Sequence, residues 1–404
     1  MRTVYLDNNA TTAVAPEVLQ AMLPFFRERY GNPSSMHAFG GDVARDIEQA
    51  RERLATLLGA EHSSELLFTS CGTESDNTAI LSTLDAYPDR KQVITTRVEH
   101  PAVLSLAKHL ERKGYEVVRI GVDRDGNLDM VELREALSPH TAIVSVMWAN
   151  NETGVIFPVE EIARMAHEVG ALFHTDAVQA VGKIPLDMRK SGIDLLALSG
   201  HKLHAPKGVG ALYVRRGTKF RPFVIGGHQE RNRRGGTENV PGIVALGMAA
   251  ELARAHVRDE QTRVRALRDK LENGLLERVP DTIVNGGRER RLPNTTNVSF
   301  EFVEGEAILL LMDRAGICAS SGSACTSGSL EPSHVLRAMG VPFTFAHGSV
   351  RFSLSRYNTD EDVDHVLREL PPIIARLREI SPFSREHPVP DGPTTCPTSC
   401  AAKS

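Results

Sequence analysis

The stretch DLLALSGHKLHAPKGVGALYV, residues 194–214, decides the fold. Its first six residues and its last five are apolar runs of strand length, and SGHK between them sets Lys202 just past the carboxyl end of the first. Near-continuous apolar strands are what a sheet covered on both faces requires. Five more such runs precede this one: LLFT (66–69), QVITT (92–96), YEVVRI (115–120), TAIVSVM (141–147) and ALFHTD (171–176). Helix-period segments such as PAVLSLAKHLERKG (101–114) and VEEIARMAHEVG (159–170) separate most of them. The alternation predicts an α/β domain around a mostly parallel sheet of seven strands, with ligands at the carboxyl ends of those strands.

Beyond residue 240 the pattern changes. Residues 243–278 read as one long amphipathic helix. TTNVSFEF (295–302), GEAILLLMDRAG (305–316) and SVRFSLSRYN (349–358) then read as strand, helix and strand of a smaller α+β domain. The expected division is a large domain over 15–255 and a small one from 1–14 and 256–383. The remainder, SREHPVPDGPTTCPTSCAAKS (384–404), has a disorder-prone composition.

Composition narrows the class. Lys and Arg total 47 against 51 Asp and Glu, a mildly acidic balance that argues against a nucleic-acid partner. RNRR (231–234) is a short basic patch running into two glycines and reads as a loop with a local task. The opening MRTVYLDNNATT lacks a signal-peptide pattern, and AILLLM (307–312) is too short to span a bilayer, so a soluble cytoplasmic protein with no membrane partner is expected. Five scattered cysteines, Cys71, Cys318, Cys325, Cys396 and Cys400, do not suggest a disulfide framework. At least one working thiol is the better expectation.

A lysine at the end of a buried strand can form a Schiff base, and burial lowers its pKa toward a useful range. Such a lysine suggests pyridoxal phosphate, and the other needs of that cofactor can be sought. Its pyridine nitrogen requires a carboxylate. HTDAVQA (174–180) offers Asp176 at a strand end, with Gln179 placed for the phenolic oxygen; a helix cap is the equally weighted alternative for Asp176. Its phosphate requires N–H groups at a helix start. TSCGTESDNTAI (69–80) offers Gly72 and Thr73, and Ser199 and His201 would close the cup. VEHPAVL (98–104) places His100 before a proline that opens a helix, to stack on a ring and move protons or simply to cap. WANNETG (148–154) adds Asn151 for the ring oxygen or the substrate.

Taken in order, YLDNNATT, GNPSS, TSCGTES, VEHPAVL, NNETG, HTDAVQA, SGHKLHAPKGVG, GGHQERNRRGGTEN and SSGSACTSG resemble the NifS/IscS cysteine desulfurases of the class V aminotransferase fold. The resemblance covers roughly residues 3–380. MWANNETG, GHQER and EGEAILLLMDRAG look closer to the NifS, nitrogen-fixation, type than to the housekeeping form. It implies the type I fold of pyridoxal phosphate-dependent transferases, a homodimer, and sulfur transfer from L-cysteine to an iron–sulfur scaffold or other acceptor, with alanine as the second product. Lys202 would carry the cofactor and remove the α-proton. Asp176 and Gln179 would hold the ring and His100 would stack on it as acid and base. Gly72, Thr73, Ser199 and His201 would hold the phosphate, with Thr237 reaching the neighbouring subunit's phosphate. Arg351 and Asn151 would clamp the substrate carboxylate.

The same resemblance makes Cys325 the thiolate that attacks the substrate sulfur, becomes a persulfide, and ligates iron–sulfur iron transiently during transfer. Its setting, SSGSACTSGS (320–329), has no large apolar side chain, a poor place for a structural cysteine and a good one for a nucleophile that must reach a partner. Cys71 and Cys318 read as small packing residues, and Cys396 and Cys400 as tail thiols without further ligands. An aminotransferase has no use for Cys325. A sulfur relay using that thiol alone leaves Lys202 and Asp176 without purpose. A selenocysteine lyase differs by one substrate atom and stays open.

Overall fold

In the computed structural model the described residues are 2–321, 332–382 and 384. The chain opens with the short strand Val4–Tyr5 (β1) and, after the helix Ala38–Leu58 (α1), enters the large sheet at Leu66–Thr69 (β2). The helix Gly72–Ala86 (α2), Gln92–Thr96 (β3), the helix Pro101–Arg112 (α3), Glu116–Ile120 (β4) and Thr141–Ser145 (β5) follow. Next come the helix Val159–Glu168 (α4), Leu172–Asp176 (β6), Leu195–Ser199 (β7) and Gly210–Val214 (β8). All seven expected strands pair in one sheet of order β2-β8-β7-β6-β5-β3-β4, parallel except that β8 runs antiparallel to both neighbours.

Side-chain alternation explains why these strands read as continuous apolar runs. Phe68, Ile94, Val144, Phe173, Leu196 and Tyr213 enter the core that α1 and α4 cover. Leu67, Val93, Ile143, Leu195 and Leu212 point the other way, into the core under α2 and α3. On that second face the character changes along each strand: Ile143 is followed by Ser145, Leu172 by His174 and Asp176, and Leu195 by Ser199. The polar end lies toward the carboxyl edge of the sheet, beneath the start of α2.

The long helix expected over 243–278 begins at Val240, capped by Asn239, and is interrupted by one π turn. It comprises Val240–Asp259 (α5), the π turn Glu260–Val264, and Arg265–Arg278 (α6). By length and composition alone this helix would be long and apolar enough to cross a membrane. Here, however, Ile243, Leu246, Ala249 and Ala250 are buried in the large core alongside α1.

The remaining elements are Thr282–Val284 (β9), Thr295–Phe300 (β10), the helix Gly305–Arg314 (α7), Ile317–Cys318 (β11), Ser320–Ser321 (β12), the short helix His334–Ala338 (α8), Ser349–Ser353 (β13) and the helix Asp360–Ile380 (α9). β12, β13, β10 and β9 form an antiparallel sheet, and β1 pairs with β11. A separate apolar core joins Val4 and Leu6 to Leu267, Leu271, Val298, Ile308, Phe352 and Val366. The amino terminus therefore packs with elements roughly three hundred residues later in the chain.

Candidate active site

A cavity of about 430 Å³ opens at the polar edge of the large sheet. Ten of the expected site residues line it: Gly72, Thr73, His100, Asn151, Asp176, Gln179, Ser199, His201, Lys202 and Arg351. Thr237 is exposed and is not among the lining residues. Cys325, like Cys396 and Cys400, lies outside the described residues. The segment that carries Cys325 nevertheless starts from the cavity wall, where Ser320 and Ser321 sit, and ends near His334, also a lining residue.

Lys202 occupies a 3-10 turn, Gly200–Lys202, directly after β7. Its Nζ donates to the carbonyls of Asn9 and Ala10. Gln179 Nε2 donates to the same Asn9 carbonyl at 3.1 Å. Burial, and then the nearby Arg351 cation, push the Lys202 pKa down to about 8.

Asp176 is buried at the end of β6, and its Oδ1 accepts the Val178 N–H at 2.9 Å. No helix follows, so the bond closes an Asx-type turn, and the helix-cap alternative does not hold. Burial raises its pKa, opposed by that N–H and by His100 and Lys202. The capping reading of His100 holds, and the ring also faces the cavity. Its Nδ1 caps α3 by accepting the Ala102 N–H at 3.1 Å while the ring lines the cavity. A neutral ring that accepts at Nδ1 carries its proton on Nε2. Burial keeps its pKa below the usual value, so that neutral form is favoured.

The phosphate cradle can be tested against the residues present. α2 starts at Gly72, where the first amide groups have no partner within the helix. A Cβ at Gly72 would come within 2.8 Å of Val178 Cγ2 and 3.6 Å of Ser199 Cβ, so the close approach needs glycine. Ser199 Oγ is buried with no hydrogen-bond partner. Burial, then Lys202, push His201 down to about 4, which leaves a neutral ring beside the cup. An orphaned hydroxyl, a helix start and a glycine-lined recess fit a phosphate group, and Asp176 fits a pyridine nitrogen.

Arg351 comes from β13. Its Nη2 donates to Asp7 Oδ1 at 2.8 Å and its Nη1 to the Asn151 carbonyl at 3.1 Å. Its Nε is buried with no hydrogen-bond partner, a directed donor ready for a carboxylate. Asn151 thus acts here through its backbone, which also accepts from Asn9 Nδ2. Asp7 Oδ1 takes a second bond from Ser320 Oγ at 2.9 Å.

The basic loop expected over 231–234 is mostly satisfied within its own chain. Arg234 pairs with Glu74 in the first turn of α2, and Arg233 donates to the carbonyls of Ser64 and Leu66. Next to it, buried Glu230 holds Arg51 through two 2.8 Å bonds. Cys71 proves to be the N-cap residue of α2 and lines the cavity, and Cys318 is half-buried rather than fully in the core. Among the described residues, no three His, Cys, Asp or Glu side chains are placed to hold a metal ion.

Several lining residues were not anticipated. Asn9 and Ala10 arrive from the amino terminus, where no local pattern announces a contact with residue 202. Glu152 could have been noticed beside Asn151. Asp76 could have been found from spacing, since it lies one helical turn beyond Gly72.

The Aminotransferase class-V family profile matches residues 4–366. A cysteine desulfurase of Gluconacetobacter diazotrophicus is 67% identical over 384 residues, covering 95% of this chain and 96% of that protein. The cysteine desulfurase NifS of Azotobacter vinelandii is 62% identical, covering 97% and 98%. Among solved structures, a NifS-like protein superimposes with a TM-score of 0.87 at 41% identity, covering 93% of this chain and all of that one. A structure of SspA in complex with cysteine superimposes with a TM-score of 0.77 at 35% identity, covering 88% and 100%.

Proposed function

The chain belongs to the class V aminotransferases, which depend on pyridoxal phosphate, and from that premise we propose that it is a cysteine desulfurase using the cavity at Lys202. One observation carries the reading. An amine with a depressed pKa, an arginine with an unpartnered Nε, and Ser320 and Ser321, which precede the cysteine-bearing segment, line one cavity.

Bound in that cavity, the cofactor supplies an electron sink for charge developing at the substrate α-carbon. Lys202 would hold the cofactor and would take the α-proton at Nζ. Asp176 balances the pyridine proton, Gln179 supports the phenolic oxygen, and Gly72, Thr73, Ser199 and His201 hold the phosphate. Arg351 receives the substrate carboxylate at Nε, its other nitrogens being fixed by Asp7 and the Asn151 carbonyl. His100 holds a proton at Nε2 for the leaving group.

The Cys325 thiolate attacks the substrate sulfur. An S–S bond forms as the Cβ–S bond breaks, and the carbon fragment keeps the electron pair, gains a proton and leaves as alanine. L-cysteine plus the enzyme thiol therefore gives alanine plus an enzyme persulfide, with atoms and electrons balanced. A thiol or an acceptor protein then takes the sulfane sulfur.

The finer assignments form part of the same proposal. Two separate cores favour a large domain over 15–255 and a small one from 1–14 and 256–383, although Val335, Leu336, Met339, Val341 and Ala346 pack into the large core. The acceptor is an iron–sulfur scaffold serving nitrogenase, Cys325 binding iron only in passing. The working form is a cytoplasmic homodimer in which Thr237 completes the phosphate site of the neighbouring subunit.

The test is turnover of L-cysteine with dithiothreitol, measuring alanine and sulfide for the wild type and Cys325→Ala. Equal amounts of both products from the wild type, with sulfide lost in a variant that keeps its cofactor colour, is the expected result. Full activity in the variant removes Cys325 from the reaction.

A further inference from the structure

Beneath the cavity, reached through Asp76 in its lining, lies a group of side chains that the chemistry above does not use. β5 and β6 set Ser145 and His174 side by side as register partners. His174 shares its face of the sheet with Asp176, two residues on. Asp76 descends from α2 onto them. Ser145 Oγ lies 2.9 Å from His174 Nδ1, and His174 Nε2 lies 3.6 Å from Asp76 Oδ1. His174 is 0% exposed and Asp76 1%, and the two facing atoms are both without a hydrogen-bond partner.

The surroundings decide the charge. After burial itself, the groups acting on Asp76 are Asp176 from β6, Glu99 from the turn before α3, and Cys71 at the cap of α2. Each of these disfavours a negative charge, and no cation appears among them. Burial likewise holds His174 neutral, at about 3. An uncompensated carboxylate in such a place is costly, and a neutral acid beside a neutral imidazole is not.

We propose that Asp76 is kept as a carboxylic acid whose proton is shared with His174 Nε2, while the imidazole donates its Nδ1 proton to Ser145 Oγ. The relay makes Asp76 a positioning residue, since it leaves Asp176 as the charged carboxylate beneath the pyridine ring. At 3.6 Å the Asp76–His174 contact is too long to count as a formed hydrogen bond, so the proposal requires the two unpartnered atoms to close by a few tenths of an ångström. Were Asp76 ionised, two carboxylates on one floor would compete, and Asp176 could be the one to take the proton. The purpose of the relay rests on reading Asp176 as the pyridine partner, whereas the protonation of Asp76 does not.

Infrared difference spectra of Asp76→Asn against wild type, recorded on holoenzyme and on apoprotein, test the protonation directly. The variant is expected to lose the C=O stretch of a protonated acid and to lose no carboxylate band. His174→Phe should shift that stretch without removing it, a result available even if Asp76→Asn fails to fold. A pH titration of the cofactor absorbance should give a midpoint within a few tenths of a unit of wild type for Asp76→Asn, as expected when one neutral group replaces another. Loss of a carboxylate band in Asp76→Asn, or a midpoint lower by about one unit, overturns the proposal. Asp176→Asn separates the two ideas. If it leaves cofactor absorbance and affinity unchanged while the protonated-acid band persists, the pyridine assignment fails and the relay stands. If it abolishes them while Asp76→Asn removes no protonated-acid band, the reverse holds.

Discussion

Two buried carboxylates in this molecule are treated in opposite ways. Glu272, 0% exposed on the helix that carries Leu271 and Leu275 into the second core, is met by Arg291 at 2.6 Å, by Arg288 and by the Thr296 hydroxyl. Burial pushes its pKa up, but these partners win and hold it below the usual value. Arg291 is itself pushed down by burial, to about 10, so both members of the pair remain charged at neutral pH. Glu99, equally buried beside the large-domain cavity, has only the Thr96 hydroxyl and the Met147 N–H, and burial raises it to about 8. Where charge serves architecture, a guanidinium is built in. Beside the cavity no guanidinium among the described residues meets Glu99, and Ser199 Oγ and Arg351 Nε are left open there, as Nε and Nη1 of Arg291 are around the architectural pair.

The sharpest way to break this comparison is to remove the charge that architecture depends on. Glu272→Gln should destabilise the protein by about 3–5 kcal/mol, the cost of leaving a buried arginine without its partner. Thermal unfolding with and without cofactor measures it, and a change below about 1 kcal/mol would mean that the buried pair is not structural in this sense.

The cavity side is probed by cofactor uptake. Lys202 must be neutral to attach the cofactor, and its pKa lies at about 8. A depressed lysine pKa leaves more neutral amine as pH rises, so the rate of reconstitution of apoprotein should climb about tenfold per unit below pH 7 and level off above about 8. A rate still climbing at pH 10 would place the amine in water rather than under the sheet edge.

A smaller effect is expected at Asp7, which fixes Arg351 and also holds Ser320. Asp7→Asn should raise KM for L-cysteine roughly fivefold to tenfold, about 1 kcal/mol of lost orientation, with kcat changed less. A fall in kcat at unchanged KM would assign Asp7 to the chemical step instead.

The sequence carries most of this site because its parts sit at strand ends. Continuous apolar runs give the strands, and the polar residue that ends each run, Ser199 or Asp176, is visible where the period breaks. What escapes is whatever depends on distance along the chain. Asn9 meets Lys202 across 193 residues, and nothing near Asn9 signals it. Local chemistry also misleads: Asp176 reads as a helix cap until the turn at Ala177–Val178 is seen, whereas His100 turns out to be a cap and a cavity wall at once. Glu230, Arg231 and Asn232 take left-handed backbone conformations without a glycine among them, which no turn rule anticipates. Thr237 is a different case, since the role proposed for it, on another subunit, has no geometry to show within one chain.

The π turn at Glu260–Val264 sets the phase of everything after it. One residue in an α-helix corresponds to about 100° of rotation, so an extra residue in a single turn re-aims the rest of the helix by that angle. Without it, Leu267, Leu271 and Leu275, now buried in the small-domain core, would point away from that core while Ile243 and Leu246 stayed in place. The long helix is in effect two rulers spliced out of step, each cut to the core that it serves. A deletion in this turn would therefore cost more than a substitution at its exposed positions, Thr262 and Arg263.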